Sequence, residues 1–96
     1  MHSKVKITVK GLVQGVGYRY YCYRKAIEYE ISGYAKNMFD GSVEVVASGN
    51  EKLIKEFVND LKEGPLNSYV KSVFVDEIPP GKPELYDKEY KSFKML

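Results

Sequence analysis

The chain has little of the chemistry that disulfides and metal centres require. Its 96 residues include one cysteine and one histidine. The single cysteine, Cys22, excludes an intrachain disulfide, and a structural zinc site usually takes four protein ligands. We therefore expect a fold that is stabilised by its hydrophobic core, with no metal and no cofactor.

Long hydrophobic runs and a strong charge of one sign are also missing. No apolar stretch approaches the ~20 residues of a membrane-spanning helix, and the start, MHSK, lacks the apolar segment of a secretory signal. The formal net charge is +2, from 15 Lys and Arg against 13 Asp and Glu, which is too small an excess to indicate nucleic-acid binding. We expect a single domain over residues 1–96, cytoplasmic and monomeric, with no membrane or nucleic-acid partner.

The spacing of apolar residues predicts a β-α-β-β-α-β order followed by a short fifth strand. Alternation indicates strands, and a repeat of three or four residues indicates helices. One helix is predicted over 18–29, and another lies between the N-cap Asn50 and the C′ glycine Gly64. The strands are predicted over 5–10, 31–38, 42–48, 69–78 and 89–95, with a loop over 79–83. This order is typical of a ferredoxin-like split βαβ sandwich, an α+β fold with an antiparallel sheet and two helices on one face.

Three glycines lie in the seven residues between the first strand and the first helix, 11–17. A helix start presents unpaired backbone N–H groups and the positive end of the helix dipole, so it favours a phosphate-sized anion. Gly15 and Gly17 permit backbone conformations that turn several N–H groups inward. Arg19 adds a planar guanidinium that binds phosphate oxygens in pairs. The glycines match neither the Walker nor the dinucleotide pattern, and a tight turn without a ligand remains the alternative.

The predicted topology brings a second polar residue to this loop. In a split βαβ unit the first two strands are parallel and flank the third, so their carboxyl ends share one sheet edge, about 10 Å apart. Arg19 follows the first strand, and Asn37 ends the second. We expect both side chains to reach one spot, where a carboxamide accepts a hydrogen bond from water and donates one to a substrate. On local grounds alone, Asn37 is a turn residue that bonds its own backbone.

Two segments of the chain resemble the two signatures of the acylphosphatase family. Residues 11–19, GLVQGVGYR, resemble the first signature, and residues 33–44, GYAKNMFDGSVE, resemble the second. The two segments occur in the same order as the family's signatures and are separated by a similar number of residues. The resemblance covers nearly the whole chain. It implies an acylphosphatase that hydrolyses the carboxyl-phosphate bond of small acyl phosphates to carboxylate and orthophosphate.

The resemblance also implies roles for particular residues. Arg19 would bind the phosphoryl group, and Asn37 would position the attacking water. The backbone of the loop would cradle the phosphate through Gln14, Gly15, Val16, Gly17 and Tyr18. The chain departs from the family pattern at four nearby positions: Tyr18 for Phe, Tyr34 for Trp, Ala35 for Val, and Met38 for a hydroxyl residue.

Two other functions fit parts of the sequence. A non-catalytic module would keep the anion cradle and bind an acyl phosphate without turnover. An antiparallel sheet rich in tyrosine would also stack RNA bases, although the RNP pattern of aromatics on the central strands is missing. Turnover of an acyl phosphate distinguishes the enzyme from both.

Overall fold

Five strands and two helices follow one another in the predicted order. The computed structural model describes residues 1–79 and 90–96. Within these ranges, no helix is long and apolar enough to cross a membrane. The elements are β1 (His2–Leu12), α1 (Tyr18–Glu28), β2 (Ser32–Asn37), β3 (Val43–Asn50), α2 (Glu51–Glu63), β4 (Tyr69–Glu77) and β5 (Phe93–Met95).

The strands form one sheet in the order β4-β1-β3-β2-β5. β3 pairs antiparallel with β1 and with β2, so β1 and β2 are parallel and end at the same edge, as predicted. β5 pairs parallel with β2, so the sheet is mixed and the prediction of an antiparallel sheet is wrong at this edge. β5 follows β4 in the chain but lies at the opposite edge of the sheet, beside β2, so no hairpin turn imposes an antiparallel sense on it.

β1 is longer than the predicted 5–10 and includes the first residues of the expected loop. Its pairing with β4 continues past an irregularity between Lys10 and Gly11, to Leu12 opposite Tyr69. A bulge interrupts the alternation of side chains without ending the ladder, so the strand pattern stops before the strand does. The glycine loop proper is therefore 13–17.

The other boundaries lie close to the predictions. β2, β3, β4 and α1 differ from them by one or two residues at an end, and α2 begins after Asn50 and ends before Gly64 as predicted. β5 starts at Phe93, later than the predicted start at residue 89. Residue 89 and most of the predicted loop over 79–83 lie outside the described ranges.

The core lies between the helices and one face of the sheet. Alternate residues of β1 face it, and Val5, Ile7 and Val9 are buried there. α1 contributes a narrow face that includes Cys22, a free buried cysteine. Burial raises the pKa of this thiol, which suits a packing residue rather than a nucleophile. α2 contributes an apolar stripe of four buried residues, Ile54, Phe57, Val58 and Leu61.

Candidate active site

A cavity of about 400 Å³ opens beside the carboxyl ends of β1 and β2. Arg19 and Asn37 both line it, so the structure brings together the two side chains that topology predicted to meet. The remaining lining residues come from the loop, the start of α1 and the end of β5: Val13, Gly15, Gly17, Tyr18, Tyr20 and Met95. Among the described residues, no group of three or more His, Cys, Asp or Glu is placed to hold a metal ion.

The helix that starts at this cavity has no side-chain cap. Gly17 is its N-cap residue, with φ 79° and ψ 20°, and the first turn contains no acidic residue. At α2, by contrast, the Asn50 side chain accepts hydrogen bonds from the N–H groups of Lys52 and Leu53. The first N–H groups of a helix have no partner inside it. At α1 they therefore remain available to an anion.

The two loop glycines are required by the conformation of the backbone. Gly15 and Gly17 have φ values of 75° and 79°, a left-handed region that costs other residues about 1–2 kcal/mol. A Cβ atom at either position would meet no atom within 4 Å. Glycine thus permits the turn of the loop, and the space beside it stays open.

Arg19 is held by the main chain at the end of β5. Its Nη1 donates a hydrogen bond of 2.6 Å to the main-chain oxygen of Leu96. Leu96 is itself fixed to β2, because its N–H donates to the main-chain oxygen of Ala35 at 2.9 Å. One N–H of the guanidinium is used in this way, and the fork retains others for a ligand. Sequence reasoning missed Leu96, since a main-chain oxygen carries no residue-type signal.

The turn after β2 is held by residues other than Asn37. The Asp40 carboxylate accepts hydrogen bonds from the N–H and the hydroxyl of Ser42, at 3.0 and 2.6 Å. These hydrogen bonds, the hydroxyl first, lower the pKa of Asp40. The Asn37 carboxamide has no hydrogen-bond partner among the described residues. The interpretation of Asn37 as a residue that stabilises its own turn is therefore wrong, and its carboxamide is free to bind a ligand or water.

Gln14 joins the glycine loop to that turn. Its Nε2 donates to the main-chain oxygens of Met38 and Ser42, at 2.7 and 2.9 Å. Both N–H bonds of the amide are used, so the side chain is a brace between the loop before Arg19 and the strand end that carries Asn37. The sequence interpretation considered only the backbone of Gln14 and missed this role.

Two other residues of the predicted cradle contribute to the core. Val16 is partly buried and packs against the hydrophobic cluster. Tyr18 lines the cavity but is 1% exposed, and its hydroxyl donates to the main-chain oxygen of Leu61 at 2.7 Å. The hydroxyl that distinguishes Tyr18 from the usual Phe is thus used inside the fold.

The fold and the cavity define an α+β sandwich of the ferredoxin-like class with a glycine loop beside a cavity at one sheet edge. The model of the acylphosphatase family matches residues 5–95. The acylphosphatase of Vibrio vulnificus is 40% identical over 91 residues, which cover 95% of this chain and 93% of that protein. The acylphosphatase of Thermus thermophilus is 51% identical over 67 residues, which cover 70% of this chain and 76% of that protein.

Solved structures agree with the sequence comparisons. The crystal structure of acylphosphatase from Bacillus subtilis superposes with a TM-score of 0.87 at 32% identity, covering 100% of this chain and 99% of that chain. The chain belongs to the acylphosphatase family and is, on these matches, a hydrolase.

Proposed function

We propose that the chain hydrolyses small acyl phosphates to a carboxylate and orthophosphate without a metal ion. The observation that carries the proposal is the single cavity shared by Gly15, Gly17, Arg19 and Asn37. The cavity brings hydrogen-bond donors for an anion together with a carboxamide. Phosphoryl transfer depends mainly on such positioning and on electrostatic stabilisation of the phosphoryl oxygens.

The phosphoryl group binds to the loop over 14–18 and to Arg19. Backbone N–H groups of the loop and of the first turn of α1 donate to its oxygens, and the Arg19 guanidinium neutralises their charge. These donors are fixed before substrate arrives, because the Gln14 side chain ties the loop to the turn after β2 and the Leu96 oxygen holds Arg19. Fixed donors stabilise the transition state without reorganising.

Asn37 positions the attacking water. Its carboxamide oxygen accepts a hydrogen bond from the water, and its amide group donates to a phosphoryl oxygen. The described lining of the cavity contains no Asp, Glu or His, so the proposed proton acceptor is a phosphoryl oxygen of the substrate. The leaving carboxylate is a weak base and needs no protonation by the enzyme.

The test is phosphate release from benzoyl phosphate, with and without a chelator. We expect turnover that the chelator leaves unchanged. Arg19→Ala should remove most of the activity and leave the fold intact, whereas Arg24→Ala, an exposed arginine on the same helix, should retain it. If Arg19→Ala bound inorganic phosphate as tightly as the wild type, the assignment of Arg19 would be wrong.

A second variant tests the water site. Asn37→Ala should lower kcat by about 10²-fold or more, the scale of losing one well-placed polar group, with a smaller change in phosphate inhibition. Asn59→Ala, an exposed position on α2, is the matched control. Phosphate binding without turnover in the wild type would favour the non-catalytic module, and a salt-dependent RNA complex would favour the RNA-binding one.

A further inference from the structure

β4 forms an edge of the sheet that no described strand covers. In the order β4-β1-β3-β2-β5 it has β1 as its one strand neighbour within the described ranges. Such an edge carries unpaired N–H and C=O groups, and proteins usually protect it with proline, a bulge or a very short strand. β4 is nine residues long and contains no proline, and its one irregularity lies near its start, opposite Lys10 and Gly11. The segment 72–77 is therefore a regular open edge.

The hydrogen bonds to β1 show which backbone groups of this segment are free. Ile78 donates its N–H to the main-chain oxygen of Lys4 at 2.9 Å, which makes these two residues a hydrogen-bonded pair. Such pairs alternate with non-bonded ones along an antiparallel ladder, so every second residue back to Ser72 also bonds β1. The intervening residues turn their N–H and C=O groups to the open side: Val73, Val75 and Glu77.

The side chains of this edge are apolar at the centre and carry opposite charges at the two ends. Phe74 is 54% exposed and Val75 is 45% exposed. Lys71 stands at one end of the segment, and Asp76 and Glu77 stand at the other. A second copy of the strand in antiparallel orientation therefore places a lysine beside the acidic residues at both ends. Opposite charges across a strand pair stabilise it, whereas like charges destabilise it.

We propose that two copies of the chain pair along β4 into one continuous sheet. A two-fold axis perpendicular to a sheet places one residue opposite itself, and the charges select Phe74 for that position. The other opposed pairs are then Lys71 with Glu77, Ser72 with Asp76, and Val73 with Val75. The valines exchange N–H···O bonds with their counterparts, and the Phe74 rings of the two copies meet at the axis.

The dimer is weak and leaves the candidate active site open. One pair of strand edges buries less than the roughly 1,200 Å² of a stable complex, so we expect association at high micromolar concentration. At the lower concentrations of kinetic and unfolding measurements, the chain stays the monomer expected from its sequence. No residue of the segment 72–77 lines the cavity that holds Arg19 and Asn37, so this proposal does not depend on the proposed function.

Charge reversal tests the register, with sedimentation equilibrium over a wide range of protein concentration as the measurement. Lys71→Glu and Glu77→Lys each oppose like charges and should weaken association by about tenfold or more. The double variant, Lys71→Glu with Glu77→Lys, restores opposite charges and should recover wild-type association. Lys55→Glu, at an exposed lysine on α2, is the control and should associate as the wild type does. Circular dichroism checks that each variant is folded.

A disulfide trap tests the position of the two-fold axis. Phe74→Cys should cross-link under mild oxidation, because the Cα atoms of a non-hydrogen-bonded pair lie about 4.5 Å apart, within the range of a disulfide. Ser72→Cys is the control, since the same residue of the second copy lies about 14 Å away along the strands. The native Cys22 is buried and does not compete.

A wild type that stays monomeric at every concentration would overturn the proposal. Association that both single charge reversals leave unchanged would also overturn it, because the contact would then lie on another surface. Equal cross-linking of Phe74→Cys and Ser72→Cys would exclude the two-fold axis at Phe74. Phosphate release is unaffected by each of these outcomes and tests the proposed function separately.

Discussion

The hydroxyl of Tyr18 donates a hydrogen bond to a main-chain carbonyl near the end of α2 that has no backbone donor. The carbonyl of Leu61 would ordinarily accept the N–H of residue 65, but that residue is Pro65 and has no N–H. The Tyr18 hydroxyl donates to Leu61 instead, at 2.7 Å. Burial, the largest cause, raises the pKa of Tyr18, so the hydroxyl keeps its proton to a higher pH than a free tyrosine does.

Tyr18→Phe should lower the free energy of unfolding by about 1–2 kcal/mol, because a buried carbonyl loses its donor. Urea unfolding measures the change. The control is Tyr21→Phe: its hydroxyl donates to the main-chain oxygen of Asp60 at 2.8 Å, but that oxygen also accepts the N–H of Gly64. The loss should be smaller there, and equal losses in the two variants would contradict this explanation.

Gln14 offers a second prediction at the scale of one residue. Gln14→Glu replaces two donors with a carboxylate that faces the carbonyls of Met38 and Ser42. We expect the turn to move and to displace Asn37, with kcat lower by about tenfold or more, because small misplacements of a positioning group slow a reaction strongly. Inhibition by phosphate should weaken as well, because the new carboxylate lies in the loop proposed to bind the phosphoryl group and repels an anion. Steady-state kinetics check this, and an unchanged kcat would rule out the brace.

At the scale of elements, one carboxylate links the two helices. Asp60 on α2 accepts the hydroxyl of Tyr29 at 2.6 Å and lies 3.5 Å from the Lys25 ammonium, both on or beside α1. The hydrogen bond to Asp60 is the main cause that raises the pKa of Tyr29 to about 12. This polar link contributes to the docking of the two helices.

The pKa of Tyr29 predicts how stability falls in alkali. Between about pH 10 and 12 the unfolded tyrosine ionises while the folded one does not, so unfolding releases a proton and becomes more favourable as the pH rises. The contribution is present below pH 10 and is lost through pH 12. Urea unfolding across this range should show a shallower decline in Tyr29→Phe than in the wild type. An identical decline in the two proteins would show that Tyr29 does not cause the loss of stability. The matched control is Tyr69→Phe, on the exposed edge strand β4.

At the scale of the whole molecule, β5 joins the core to the candidate active site although it spans only Phe93–Met95. Phe93 is 4% exposed and packs edge-on against Phe57 of α2, with ring centroids 6.1 Å apart. The next residues lead directly to the Leu96 oxygen that holds Arg19. Loosening the strand should therefore affect stability and phosphate binding together.

Phe93→Ala should lower the free energy of unfolding by about 3–4 kcal/mol, the usual scale for a buried phenylalanine. Phosphate inhibition should also weaken, because Arg19 loses its fixed partner. Phe74→Ala, on β4 and 54% exposed, should cost less than about 1 kcal/mol and leave phosphate inhibition alone. Urea unfolding and inhibition constants measure both effects. Wild-type phosphate affinity in folded Phe93→Ala would show that β5 does not position the arginine.

Much of the fold was predictable because its elements carry strong local patterns. The caps at Asn50 and Gly64 predicted the limits of α2 directly. β1 was predicted too short because the bulge at Gly11 breaks the alternation. The sense of β5 was not predictable, since three residues carry no signal for the strand they pair with.

The sequence by itself determined the order of elements, the glycine loop and the meeting of Arg19 and Asn37 at one sheet edge, because periodicity and strand connectivity are properties of the chain. Only the tertiary structure decided how these residues are held: Gln14 on the turn, Leu96 on Arg19, and Tyr20 with Met95 beside them. The physical reason is that these contacts involve main-chain oxygens and surfaces from distant segments, 77 residues apart for Arg19 and Leu96. Such partners become neighbours only when the sheet and helices dock.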